Sequence, residues 1–177
     1  MLKKIGQAAF FFLLASAVAI FQSAFIFPLP SWGAQFNLVL VIMIFSLFFF
    51  GFTWTLVFAL SAGFWFDLIG FNFFGLHILV LFLTLVFADR LLAAWLTNRS
   101  LYSFILLILL ATGVYNLLFI ALSYPLAVFF EERFYTMASF WSGLAYQSAW
   151  SLVVALLLFN LVGLVTRRLQ PFFLEKD

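Results

Sequence analysis

The chain reads as a succession of apolar runs, each near the length of a bilayer crossing, separated by short polar or turn-forming clusters. About 20 apolar residues are needed to traverse a hydrocarbon core of about 30 Å. The first run, 5–27, is interrupted only by Gly6, Gln7, Ser16, Gln22 and Ser23. Pro28, Pro30, Ser31 and Gly33 then form a turn-rich connector. A second apolar stretch extends from Asn37 to Ile69 with Asp67 as its only charge. As one helix its 33 residues would reach about 50 Å at 1.5 Å per residue, too long for a single crossing. Division near Phe50-Gly51 gives two helices joined by a tight turn, spans of about 35–50 and 51–69. Residues 70–74 connect to a fourth span, 75–95, with Asp89 and Arg90 near its far end. Asn98, Arg99 and Ser100 separate it from a fifth, 101–122. The segment 123–139 holds Pro125 and the charged trio Glu131, Glu132 and Arg133. A sixth span, 140–165, precedes Arg167, Arg168 and a polar tail. The pattern predicts an all-α polytopic membrane protein, with six transmembrane helices in one domain over 1–177.

Composition narrows the alternatives. Hydrophobic residues are 68% of the chain, charged ones 8%, and the mean hydropathy is +1.26. A soluble domain carries roughly 25% charged residues and is at most about half apolar, so a water-soluble globule is excluded. Disorder needs the opposite balance of charge and hydrophobicity. With no cysteine and a single histidine, disulfides, thiolate chemistry and multi-histidine metal centres are unavailable. A net charge of +2, scattered along the chain, does not suit a nucleic-acid binder.

The basic residues also test the span count, because they collect on the cytoplasmic side. With the N-terminus inside, six crossings place Lys3, Lys4, Arg90, Arg99, Arg167, Arg168 and Lys176 inside, and Arg133 alone outside. Five crossings would move Arg90, Arg99 and the C-terminal arginines outside. Six crossings with both termini in the cytoplasm is the expectation. Lys3 and Lys4 followed by apolar residues and small ones at Ala15-Ser16-Ala17 or Ser23-Ala24 also resemble a secretory signal. The apolar stretch exceeds a signal core of about 7–15 residues, and Phe25-Ile26-Phe27 continues it. It is read as a retained membrane helix.

Polar groups at membrane depth are costly and therefore candidates for function. Asp67 is expected near the outer end of the third span and His77 at the start of the fourth, at similar depth on antiparallel neighbours. Asp67 is either a ligand, proton or partner contact, or a carboxylate that caps backbone N–H groups or is wetted at the interface. A hydrogen bond to His77 would lower the cost of both. Ser61 has no nucleophile signature around it, and Asp89-Arg90 reads as an interfacial anchor. Thr112, Tyr115 and Asn116 on the fifth span and Tyr146, Gln147 and Ser148 on the sixth are expected to bond across helices, at about 1 kcal/mol or less each. If they faced one cavity, they would line a ligand site. Small residues at Ala8, Ala15, Ala19 and Ser23, and at Ala59, Ala62 and Gly63, form stripes that permit close helix packing. Twenty-nine phenylalanines face lipid or fill the core, and Trp32, Trp95 and Trp141 suit interfacial belts. No phosphate-cradling loop, metal-binding histidine pair or activated serine motif is present, and no cofactor is expected.

One stretch carries a family resemblance. Between Asn37 and Leu91, Gly63-Phe64-Trp65-Phe66-Asp67-Leu68-Ile69 is followed, after a short loop, by Gly75-Leu76-His77-Ile78-Leu79. This order and spacing resemble the rod-shape-determining membrane protein family MreD. Length, span number and an inside N-terminus are similar over the whole chain. Two positions depart from the family pattern: Phe36-Asn37-Leu38 stands for a proline-acid-leucine start, and Phe74 for the proline that precedes the glycine. The resemblance implies a non-enzymatic inner-membrane component of the bacterial cell-elongation machinery that supports peptidoglycan synthesis. Its partners would be the periplasmic scaffold protein MreC, other elongation-complex membrane proteins and the bilayer. By the same analogy Asp67, Gly75 and His77 would shape the third-to-fourth hairpin. The family is similar in fold to the substrate-binding subunits of energy-coupling-factor transporters. That supplies the alternative, a vitamin-type binding subunit docking its partner through Ala15 and Ala19. Its ligand contacts would come from Gln35, Asn72, the glutamate pair and Tyr135. An intramembrane enzyme using Asp67 and His77 is the third reading.

Overall fold

Backbone in lipid must satisfy its own polar groups, so apolar runs of this length fold as helices. The computed structural model describes the backbone of residues 2–70, 73–94, 101–130 and 137–169, and side chains over 4–30, 33–70, 73–94, 101–125, 141–158 and 160. Helix α1 (Leu2–Phe21) passes into a π-helical turn, Gln22–Ile26. The single turn α2 (Ser31–Ala34) follows the Pro28–Pro30 connector. Then come α3 (Leu38–Phe50), α4 (Phe52–Ile69), α5 (Leu76–Ala94), α6 (Leu101–Phe130) and α7 (Met137–Leu169). Among the described residues, segments of α1, α4, α5, α6 and α7 make five helices long and apolar enough to cross a membrane.

The second expected crossing is the exception. Helix α3 has 13 residues, about 20 Å of helix, against about 30 Å of hydrocarbon. It begins at Leu38 rather than near residue 35 because Asn37, at φ −107° and ψ 88°, caps it. The two last helices differ the other way. Helix α6 runs on through Pro125 to Phe130 instead of ending near residue 122, and α7 starts at Met137 and continues to Leu169. A proline removes one backbone donor from a helix, a loss that membrane helices tolerate. It therefore did not end α6.

The reversal between α3 and α4 rests on one residue. Gly51 adopts φ 81° and is at once the C-cap of α3 and the N-cap of α4. That left-handed region is open to glycine at little steric cost. Its N–H donates to the Leu47 carbonyl at 3.2 Å, and its own carbonyl accepts from the Thr55 hydroxyl at 2.9 Å. Both helix ends are thus closed through Gly51, within residues 47–55.

Helix α3 lies at the centre and contacts α1, α4, α5, α6 and α7. Its Val39, Leu40, Val41, Met43 and Ile44 are fully buried, as an apolar-all-round helix should be. The outer helices bury one face and present Phe10, Leu13, Leu79, Leu106, Leu117 and Leu157 outward, where lipid would meet them. Ala15 and Ala19 are fully buried within the chain. Helix α1 packs on α4 there: the Trp65 indole N–H donates to the Ser16 hydroxyl at 2.8 Å, and Phe11 stacks on Trp54. The close approach that Ala15 and Ala19 permit is therefore used within the chain.

Helix α4 meets α5 on its other side through Gly63. A Cβ at Gly63 would lie 2.7 Å from the Ile78 Cα and 2.9 Å from its amide nitrogen. The two backbones touch. Trp141 is exposed near the start of α7, as a belt residue would be, and Asp89 and Arg90 are half-buried and exposed on α5. Asn72, Trp95, Asn98, Arg99, Ser100, the Glu131-Glu132-Arg133 trio, Tyr135 and Lys176 lie outside the described residues, as do the side chains of Lys3, Trp32, Arg167 and Arg168.

The Gly63 contact yields a direct expectation. Gly63→Ala forces α4 and α5 apart and should cost about 1–3 kcal/mol. Gly113→Ala, whose Cβ would meet nothing within 4 Å, should be neutral or stabilising by up to about 1 kcal/mol. Equilibrium unfolding in mixed detergent micelles measures both, and equal midpoints for the two variants would refute the backbone contact.

Candidate functional site

Two helix starts, α5 and α3, lie at the end of the bundle where α4 and α1 finish. Each leaves unpaired backbone N–H groups that need acceptors. At α5 the N-cap position is Gly75 (φ 97°), which has no side chain to supply one. Asp67, eight residues earlier on α4, supplies it instead. Its Oδ2 accepts from the Gly75 N–H at 2.9 Å and the Ile78 N–H at 3.3 Å. Its Oδ1 accepts from the His77 N–H at 2.8 Å and lies 2.9 Å from His77 Nδ1. The carboxylate is fully buried and the imidazole is 12% exposed. An ionised carboxylate only accepts, so His77 donates from Nδ1. A negative charge at a helix N-terminus is further favoured by the helix dipole.

Of the two readings open for Asp67, backbone capping is the one that describes its contacts, and its bond to His77 is present as well. Gly63 brings α4 and α5 close enough for both. Four of the residues singled out in the sequence, Gly63, Asp67, Gly75 and His77, thus form one hairpin unit. Ser61 is not part of it: its hydroxyl bonds back to the Val57 carbonyl at 2.7 Å.

The start of α3 is capped in the same manner by two amides. Asn37 Oδ1 accepts from the Leu40 N–H at 3.0 Å, and Gln22 Oε1 accepts from the Val39 N–H at 2.9 Å. Gln22 reaches across from the π-helical turn at the end of α1 and is 2% exposed. In the sequence it was only an interruption of an apolar run.

Beside this second cap lies a cavity of about 240 Å³. The amides of Gln22, Gln35, Asn37, Asn116 and Gln147 and the Tyr115 phenol contribute its polar groups. Phe27, Phe36, Phe66 and Phe119 contribute aromatic walls. Asn116 donates to the Gln147 Oε1 at 2.7 Å and to the Thr112 carbonyl at 2.8 Å. Of the six residues expected to bond across helices, Asn116 and Gln147 bond to each other, and with Tyr115 they face one cavity. Thr112 instead bonds within its own helix, to the Ile108 carbonyl, and Tyr146 is exposed. The Tyr115 hydroxyl reaches the Asn37 side chain. Gln35 Oε1 is fully buried and has no hydrogen-bond partner among the described residues.

The hairpin and the cavity share walls. The His77 ring packs on Phe66 at 5.6 Å and Phe119 at 5.3 Å between centroids, and both phenylalanines line the cavity. Comparison with family models, with characterised proteins and with solved structures finds no match for the chain.

The capping geometry sets an order of stabilities. Asp67→Ala leaves three N–H groups without acceptors at about 1–3 kcal/mol each, so a loss of about 3 kcal/mol or more is expected. Asp67→Asn keeps one acceptor oxygen and should lose about half of that, and His77→Gln about 1 kcal/mol. Unfolding midpoints and amide exchange at residues 75–78 would report the series. An Asp67→Ala variant as stable as the parent would contradict it.

Proposed function

We propose that the chain is a non-enzymatic, multi-pass inner-membrane component of the bacterial cell-elongation machinery, of the MreD type, that binds an MreC-like periplasmic scaffold. The observation that supports this reading is the hairpin. The residues through which the chain resembles that family, Gly63, Asp67, Gly75 and His77, each have a physical task in one unit: close approach, capping, left-handed turn and hydrogen-bond donor. A motif built this way preserves a surface shape rather than a reaction, which suits an assembly subunit. On this reading both termini lie in the cytoplasm, and the Asp67 end of the bundle would then face the periplasm. The partner surface would then lie on outward helix faces and outer loops, away from the internally packed Ala15 and Ala19.

A second reading, a vitamin-type binding subunit of an energy-coupling-factor transporter, is favoured by one observation, the amide-lined cavity. The two separate cleanly by phenotype. On the scaffold reading, depletion converts rods to spheres and the tagged protein co-purifies with a periplasmic coiled-coil partner. A reporter fused to the C-terminus should stay on the cytoplasmic side. Normal rod shape after clean deletion, with no paralogue to compensate, would overturn the proposal.

A further inference from the structure

We propose that the cavity above the start of α3 is a binding site for a small uncharged ring compound whose rim carries both hydrogen-bond donors and acceptors. Size comes first. A volume of about 240 Å³ equals roughly eight water volumes at about 30 Å³ each, enough for one or two fused rings. Charge comes next. Among the described residues no Asp, Glu, Lys, Arg or His lines the space, so an ionised ligand would meet no counter-charge from them, at a cost of many kcal/mol. The nearby carboxylate and imidazole bond to each other and to backbone, behind Phe66 and Phe119.

The polar lining is suited to a neutral rim. Carboxamides offer donors and acceptors side by side. Gln22 and Asn37 are held by the α3 backbone, and Asn116 and Gln147 hold each other. Groups fixed before the ligand arrives lose little freedom on binding. Gln35 differs: its Oε1 is buried and unpaired among the described residues, a costly state that a ligand N–H or O–H would relieve. Gln35 lies against Gly143, where an added Cβ would make ordinary contact with its amide at 3.5 Å, so a longer side chain at 143 would crowd the amide. Aromatic walls supply contact for a ring's faces. An acyl chain would leave the amides unanswered.

The inference rests on the cavity alone and holds under either reading of the whole protein. Its failure would leave the shape phenotype untouched. The test uses the full-length protein in detergent, titrated with adenine and nicotinamide as neutral rings and with nicotinate as the charged counterpart of nicotinamide. Native mass spectra of the freshly purified protein report any retained compound. At least one neutral ring should bind, or a neutral ring compound should be retained, and nicotinate should bind at least tenfold more weakly than nicotinamide. Gly143→Leu should weaken the neutral interaction at least tenfold, while Gly113→Leu, outside the cavity, stays within twofold. Gln35→Leu should weaken it too, with folding unaffected. Nicotinate binding as well as nicotinamide would overturn the proposal, and so would affinity indifferent to Gly143→Leu. Spectra holding only lipid or detergent, together with no titration response below ~1 mM, would do the same.

Discussion

A helix that begins inside an apolar medium must find acceptors for its first N–H groups, because no water is there to take them. This requirement organises one end of the bundle. Helix α3 is too short to reach both interfaces, and α5 starts at a glycine with no side chain to act as cap. In both cases an acceptor comes from the end of an earlier helix: Gln22 from the π-helical turn that closes α1, beside the N-cap Asn37, and Asp67 from the end of α4. Each cap also ties two helices together, so local saturation of the backbone and tertiary packing are the same bonds.

The cavity follows from the same shortfall. Because α3 stops short, the volume above its first turn is not filled by helix. The π-helical turn, α2 and the connector enter from one side and α6 and α7 from the other. Side chains that close the α3 start are polar by necessity, so a space beside them acquires amide walls. Gly63 acts at the opposite flank: by bringing α4 onto the α5 backbone it sets Asp67 against residues 75–78. His77 then packs against both Phe66 and Phe119, which line the cavity. A change in the hairpin would be felt in the cavity through those two rings.

Much of the helical architecture was legible from hydropathy, since a crossing needs a run of fixed length and few residues interrupt these runs. The break at Gly51 was legible because 33 apolar residues are too many for one crossing and glycine offers the reversal. The Asp67–His77 bond was legible from the ten-residue separation across a short turn. Pro125 misled, because a proline that breaks helices in water is tolerated where other contacts hold the helix. The length of α3 was not readable, since Gln35 and Phe36 carry no signal that the helix waits for Asn37. Nor was the cavity. Its polar groups lie between positions 22 and 147, and only the fold brings them to one place.

Polarity alone is a poor guide to which buried group is free to act. Asp67 is the most expensive residue at this depth and draws attention first, yet its oxygens are occupied by four donors. Its chemistry is spent on structure. Gln35 is neutral and enters the sequence reading only as one candidate ligand contact of the transporter alternative, but it keeps a buried acceptor without a donor among the described residues. Occupancy of lone pairs, rather than formal charge, separates a group that holds the fold from one that awaits a partner. By that criterion the capacity for recognition in this end of the bundle resides in its amides, while the carboxylate and imidazole keep the walls around them in place.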